Sequence, residues 1–311
     1  MTTHLSTRPT GHGVLRLLVA AVVAFALVVT LGGAPAAAAT SRSCSVKNKD
    51  SGRTYSRLQA AVRYAKPKQH LRVRGKCSGA VVVKKNLSID GVKTRRKGRP
   101  TLDGKRRVRV LRVKPGVKLT LRRLTVQNGR AKHGGGAIMN RGTLKLRDVV
   151  VRRSRAAAGG GIFNAGNLWM RGSTRVKRNQ AAEGYGVFST GSVAMRDRSI
   201  IAKNRGSRPD PNPGYGVHNF GSLTMRDSST ISENEGGVRN QGGTLTMAGS
   251  SAIAHNVLGC PPSGSGCALW KTDPPGAGLL SMGGSLVGVS CAPHTFANIH
   301  HNRPKDCTIL P

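Results

Sequence analysis

Gly134–Asp148 reads GGGAIMNRGTLKLRD, and Gly159–Gly172 answers it with GGGIFNAGNLWMRG. Three further copies follow: GYGVFSTGSVAMRD (Gly184–Asp197), GYGVHNFGSLTMRD (Gly214–Asp227) and GGVRNQGGTLTMAG (Gly236–Gly249). Their spacing is 21 to 30 residues, and four of them run on to a closing asparagine at Asn179, Asn204, Asn234 or Asn256. Self-similarity at such a period means a stacked repeat. Within each copy apolar residues alternate, as in Leu144/Leu146, Leu168/Met170, Val193/Met195, Leu223/Met225 and Leu245/Met247, the period of a strand with one buried face. A helix does not fit in a unit this short. The expected fold is all-β: a right-handed parallel β-helix whose coils stack about 4.8 Å apart.

Stacking turns the alignment into columns. Ile138, Ile162, Val187, Val217 and Val238 are expected to form one inward apolar column, and Val151, Val176, Ile201, Ile231 and Ile253 another. Asn140, Asn164, Ser189, Asn219 and Asn240 should make a buried polar ladder at a turn, a structural device that satisfies backbone groups. Gly142, Gly166, Gly191, Gly221 and Gly242 are read as turn glycines placed for their φ freedom.

Outside the repeats, residues 1–39 have the pattern of an export signal: Arg8 and Arg16, an apolar run Leu17–Leu31, then small residues Ala34–Ala39. The run is short for a membrane span, so a mature chain without a transmembrane segment, secreted or attached to the cell envelope, is expected. Residues 40–80 are read as an amino-terminal cap, 81–257 as coils and 258–311 as an irregular, disulfide-rich tail. In the cap, Leu58, Val62 and Ala65 fall on one helical face between Cys44 and Cys77, which suggests a stapled helix. The six cysteines of an exported chain suit disulfides. Cys260, Cys267, Cys291 and Cys307 permit three pairings, with 260–267 and 291–307 favoured. Pro209–Pro213 is expected to lengthen one coil as a loop.

Charge is uneven. Thr40–Arg208 holds 44 lysines and arginines against six acids, a net +38, whereas Pro209–Pro311 has five against six. In RVRVLRVK (107–114) and VKLTLRRLTV (117–126) the cations alternate with apolar residues and should coat a solvated face. Such a field attracts polyanions: acidic polysaccharide, teichoic-type polymer, nucleic acid or anionic membrane. One ordered row, Arg122, Arg147, Arg171, Arg196 and Arg226 with Lys118 and Lys145, is the candidate contact surface. Its other reading is an ion-pair network with Asp148, Asp197 and Asp227. An outward column of Met139, Phe163, Phe188 and His218, with Trp169 beside Lys145, could stack on sugars or bases or cover turn backbone.

GGGIFNAG, GSLTMRDSSTISEN and the opening CSVKNKDSGRTYSRLQAAVRYAKPKQHLRVRGKCSG resemble secreted bacterial β-helix proteins of the pectin-lyase-like superfamily; the GGGIxN copies are also similar to polymorphic outer-membrane protein repeats. The resemblance covers Cys44–Asn256 and implies a fold, but function varies across that superfamily. Its pectate-type lyases gather carboxylates around Ca²⁺ and use an Arg or Lys base. Here only Asp148, Asp197 and Asp227 stack, with Gly172 interrupting them, and the paired carboxylates of a glycoside hydrolase are missing. GxSxG, Walker and HExxH motifs are absent. His294, His300 and His301 lack zinc-type spacing, so no metal or cofactor is expected, Ca²⁺ entering only with a lyase. A non-catalytic polyanion-binding protein is the leading expectation; a lyase on an acidic polysaccharide and a structural surface protein or adhesin are the alternatives. Nothing in the sequence sets the oligomeric state.

Overall fold

Three strands and three turns make each coil. In the coil that opens with Thr143–Arg147, the chain turns into Val150–Arg152, crosses a longer loop, and enters Ile162–Asn164 before the next coil begins at Asn167–Arg171. The computed structural model describes residues 44–93, 98–207, 214–256, 279–282 and 285–287. All belong to one of two compact units of the chain, Arg42–Pro311. Like strands of successive coils pair in parallel, giving three faces: an eleven-stranded sheet and two eight-stranded sheets. The eleven-stranded sheet owes its antiparallel edge to Ser45–Asn48, which pairs with both Thr54–Tyr55 and His70–Arg74.

The apolar columns stand as the alternation implies. Ile138 pairs with Ile162, then Val187, Val217 and Val238, and all are fully buried. Val151, Val176, Ile201, Ile231 and Ile253 form the second column. Each such side chain removed from water contributes about 1.5–3 kcal/mol, so a column welds coils that have no local stability of their own. Between the columns runs the polar ladder. Asn140 Nδ2 donates to Asn164 Oδ1 (2.7 Å), Asn164 Nδ2 to Ser189 Oγ (3.1 Å), and Asn219 Nδ2 to Asn240 Oδ1 (2.7 Å).

The turn glycines serve a different purpose from the one read in the sequence. Gly142, Gly166, Gly191 and Gly221 do not have positive φ; among that set only Gly242 does. A Cβ at Gly166 would run into the Gly142 carbonyl of the coil before, at Gly191 into that of Gly166, and at Gly221 into that of Gly191. Close approach of backbones, rather than a left-handed turn, excludes side chains there. In the last copy Gly243 takes that place beneath the Gly221 carbonyl, and Gly242 is an inserted residue with open space around it.

Helix α1 (Leu58–Tyr64) lies in the cap and buries Leu58, Ala61 and Val62, with Ala65 buried just beyond it. Its N-cap Arg57 makes no side-chain capping bond, so packing holds it. Lys85 Nζ closes the other end by donating to the Arg63 and Ala65 carbonyls at 3.1 and 2.7 Å. The expected disulfide joins Cys44 to Cys77. Parallel stacking begins inside the stretch read as cap, where His70–Arg74 pairs with Leu87–Gly91 and Lys76–Ser78 with Thr101–Asp103. It also continues into the stretch expected to be irregular, through Leu279–Met282 and Ser285–Val287. The export signal, the Pro209–Pro213 loop, the four tail cysteines and His294, His300 and His301 lie outside the described residues.

Candidate polyanion-binding trough

The arginine row is real but lies on open surface. Arg122, Arg147 and Arg171 are in register. Arg196 and Arg226 follow one residue past their strands, their N–H groups donating to Met170 and Met195. Lys118 and Lys145 are exposed on the same sheet. Lys145 and Arg171 are engaged with the Trp169 ring, 6.0 and 5.5 Å from its centroid, a cation–π arrangement.

The Arg/Asp network does not form along the row. Among the described residues, Asp148, Asp197 and Asp227 make no ion pair with it; they take left-handed φ of 55°, 58° and 58°. Their carboxylates are turned along the stack instead. Asp148 accepts from Ser173 N–H (2.9 Å), Asp197 from Gly172 N–H (2.6 Å) and Asp227 from Asp197 N–H (2.9 Å). Among the described residues, the row reaches a carboxylate only at Arg122, which with Arg123 lies 3.9 Å from Asp90. These aspartates are backbone acceptors, and they do not converge as calcium ligands; among the described residues no group of His, Cys, Asp or Glu could hold a metal ion.

The aromatic column is a cover for loop backbone. Phe163 and Phe188 stack at 5.1 Å, and Phe188 meets the buried His218 edge-on at 5.2 Å. Gly134 lies under the Phe163 ring and Gly184 against Phe188, with no room for a Cβ at either. His218 Nε2 is 3.1 Å from Gln241 Oε1, and burial holds its pKa below the ordinary histidine value despite that bond.

A dense group of cations borders a concavity that the sequence reading did not single out. It lies on the loop joining the second strand of each coil to the third. The closing asparagines form the floor: Ser154 N–H donates to Asn179 Oδ1, Asn179 N–H to Asn204 Oδ1, Asn204 N–H to Asn234 Oδ1 and Asn234 N–H to Asn256 Oδ1, all at 3.0–3.1 Å. Each floor residue is buried, so its two chain neighbours are turned outward. Those neighbours are Arg153 and Arg155, Arg178 and Gln180, Lys203 and Arg205. With Arg106 and Arg130 they border a trough of about 720 Å³, lined by seven cations and no carboxylate.

Two rails result. Arg153, Arg178 and Lys203 form one, each N–H bonded to the carbonyl of the next coil's residue at 3.0 Å: Arg153 to Arg178, Arg178 to Lys203 and Lys203 to Glu233. All three, and Arg106, have left-handed φ of 53–57°, a conformation that costs a residue with a side chain about 1–2 kcal/mol. Arg130, Arg155, Gln180 and Arg205 form the other rail, bridged in parallel register. Gln180, with its amide oxygen turned toward the arginine, accepts Nε (2.9 Å) and Nη2 (3.2 Å) of Arg205. Behind the first rail, burial and then Arg153 and Arg178 lower the pKa of Arg152. Burial and then Arg178, Arg175, Arg152 and Lys203 lower that of Lys177.

The sequence held one signal for this trough: the floor residue has cations on both sides in Arg153-Ser154-Arg155 and in Lys203-Asn204-Arg205. Comparison of the chain with protein families, with curated proteins and with solved structures finds no match. Among the described residues no helix is long and apolar enough to cross a membrane.

Proposed function

We propose that this protein binds a linear polyanion along its coil axis, in the trough between the two cationic rails, and that it does so outside the cell or at the cell envelope. The carrying observation is the pair of rails with seven cations and no lining carboxylate. Arginine forks suit phosphate or carboxylate oxygens. The five coils from Arg106 to Arg205 span about 19 Å at 4.8 Å per coil, so 720 Å³ corresponds to a channel about 6 Å across. One extended chain fits such a channel, whereas a nucleic-acid duplex, which is wider than its own major groove of about 12 Å, does not. The Cys44–Cys77 disulfide and the leader-like residues 1–39 support export to an oxidising compartment. The pectin-lyase-like resemblance belongs to the same proposal, supported by the three-faced parallel coil.

A lyase acting on acidic polysaccharide is the second reading, favoured by Lys177 behind the first rail, whose pKa is lowered by burial and by the neighbouring cations, the direction a lysine base needs. Following the ultraviolet absorbance of unsaturated uronate ends during incubation separates the two, since a rise occurs only with cleavage.

The binding test compares two triple variants on polyphosphate, uronate polymer and teichoic-type polymer over a salt series. Replacing Arg153, Arg155 and Arg178 with Gln should weaken binding more than tenfold and reduce the slope of log K against log salt by about 2, near 0.7 per lost contact. Replacing Arg147, Arg171 and Arg196 with Gln should leave most binding intact. Equal losses from both triples would mean diffuse attraction to a basic surface rather than a site.

A further inference from the structure

Rail chemistry reverses within one coil. After Lys203-Asn204-Arg205 the next triplet is Glu233-Asn234-Glu235, on the same scaffold: Glu233 accepts the Lys203 N–H through its carbonyl, and Asn234 continues the floor. Both acids also reach back toward the trough. Glu233 Oε2 lies 3.0 Å from Lys203 Nζ, and Glu235 Oε2 accepts Gly206 N–H at 2.8 Å. The opposite end differs. Asp103 there is buried and neutralised by Lys76 Nζ at 2.9 Å, with Gln127 and Asn128 donating to it, while Lys105, Arg106 and Arg107 stand exposed. One end of the trough is therefore bordered by exposed cations, and beyond the other the next rung carries two carboxylates.

Building on the reading of the trough as a polyanion site, we infer that it receives the end of a single oxyanion chain, which enters past Arg106 and stops at Glu233 and Glu235. The occupant is an unbranched phosphate or carboxylate chain with a free terminus, and about 19 Å of it is held. A chain running on past the stop would compete with Glu233 for Lys203 and would come within one coil spacing of Glu235, whose carboxylate repels a unit anion there by about 0.9 kcal/mol even in water, a factor of about four.

The test is a length ladder of inorganic polyphosphate, with oligouronates of matched charge run alongside to separate a phosphate from a carboxylate chain. Affinities are measured for the full chain, for Glu233→Gln/Glu235→Gln, and for the Arg153/Arg155/Arg178→Gln triple, whose residual binding is subtracted as the trough-independent part. Trough-dependent affinity should climb with length until the chain spans the trough and then level off. In the glutamine pair the climb should continue, with long chains gaining about fourfold or more and the shortest less than about twofold. Glutamine can still accept the Gly206 N–H, and a melting curve for each variant confirms the fold. Affinity that keeps rising with length in the unmodified chain, or a glutamine pair with the same length profile, would overturn the end stop while leaving the trough intact. A triple variant that binds as well as the unmodified chain would instead remove the trough reading itself.

Discussion

Arg178 occupies the middle of a rail, and two substitutions there separate the cost of its backbone from the value of its charge. Its N–H and carbonyl belong to the coil-to-coil ladder, bonded to Lys203 and Arg153 at 3.0 Å, so any residue other than proline keeps the ladder. Its φ of 56° carries a penalty of about 1–2 kcal/mol that glycine does not have. Glycine gives back about 0.5–1 kcal/mol of that through greater freedom in the unfolded chain. Arg178→Gln removes the charge and keeps the backbone penalty, whereas Arg178→Gly removes both. Relief of repulsion with Arg153 and Lys203 is common to the two variants and cancels in their comparison. The glycine variant should therefore be the more stable by about 0.5–1 kcal/mol, a rise of about 1–4 °C in Tm for a domain of this size. Both should lose polyanion affinity alike, with the salt slope smaller by about 0.7. Urea melts and a salt series of binding isotherms measure the two quantities. A glutamine variant at least as stable as the glycine one would refute the idea that the rail stores backbone strain, and unequal binding would show that more than charge is recognised.

Three further outcomes are expected. Asn164→Ala removes a fully buried amide that donates to Gly166, Ser189 and Ser192 and accepts from Asn140; chemical denaturation should show a loss of about 3 kcal/mol, and a loss under 1 would mean the ladder is replaceable by water. Replacing Cys44 and Cys77 by Ala opens a loop with sequence separation 33, which chain entropy values at about 4 kcal/mol; unchanged melting would reject the staple as a source of stability. Burial raises the Asp103 pKa, but hydrogen bonds from Gln127, Lys76, Lys105 and Asn128 outweigh it and leave it below 3.8. Its contribution is thus complete above 3.8 and lost as pH falls through the lower folded value, so Asp103→Asn should flatten the acid limb of stability against pH, and an unaltered limb would count against this pairing.

The columns were legible because a strand's two-residue period and a coil's near-constant length act on the same residues: Ile138 to Val238 could be aligned by eye. The glycine turns were found for the wrong reason. Gly166 and Gly191 are dictated by a carbonyl of the preceding coil, a contact between residues about 25 apart that local turn rules do not contain. The Arg/Asp row failed similarly, since a left-handed φ at Asp148 and Asp197 aims the carboxylates along the stack at backbone N–H groups and away from neighbouring guanidinium groups. The trough was hidden for a further reason: Arg153 and Arg155 are unremarkable in a chain so rich in cations until the buried Ser154 between them fixes both side chains on one side of a concave loop.

Division of labour within the three-residue rung bears on how such a protein can change. The central Ser154, Asn179, Asn204 or Asn234 is tied to its counterparts in the neighbouring coils through its side chain, while the flanking residues keep their place in the coil ladder through main-chain atoms, whatever contacts their side chains add. Arginine, lysine, glutamine and glutamate already share those flanking positions without altering the floor. Folding and the proposed recognition thus fall on alternate letters of the same short word, so that on this reading the ligand preference of one coil can drift by point substitution while the core stays as it is.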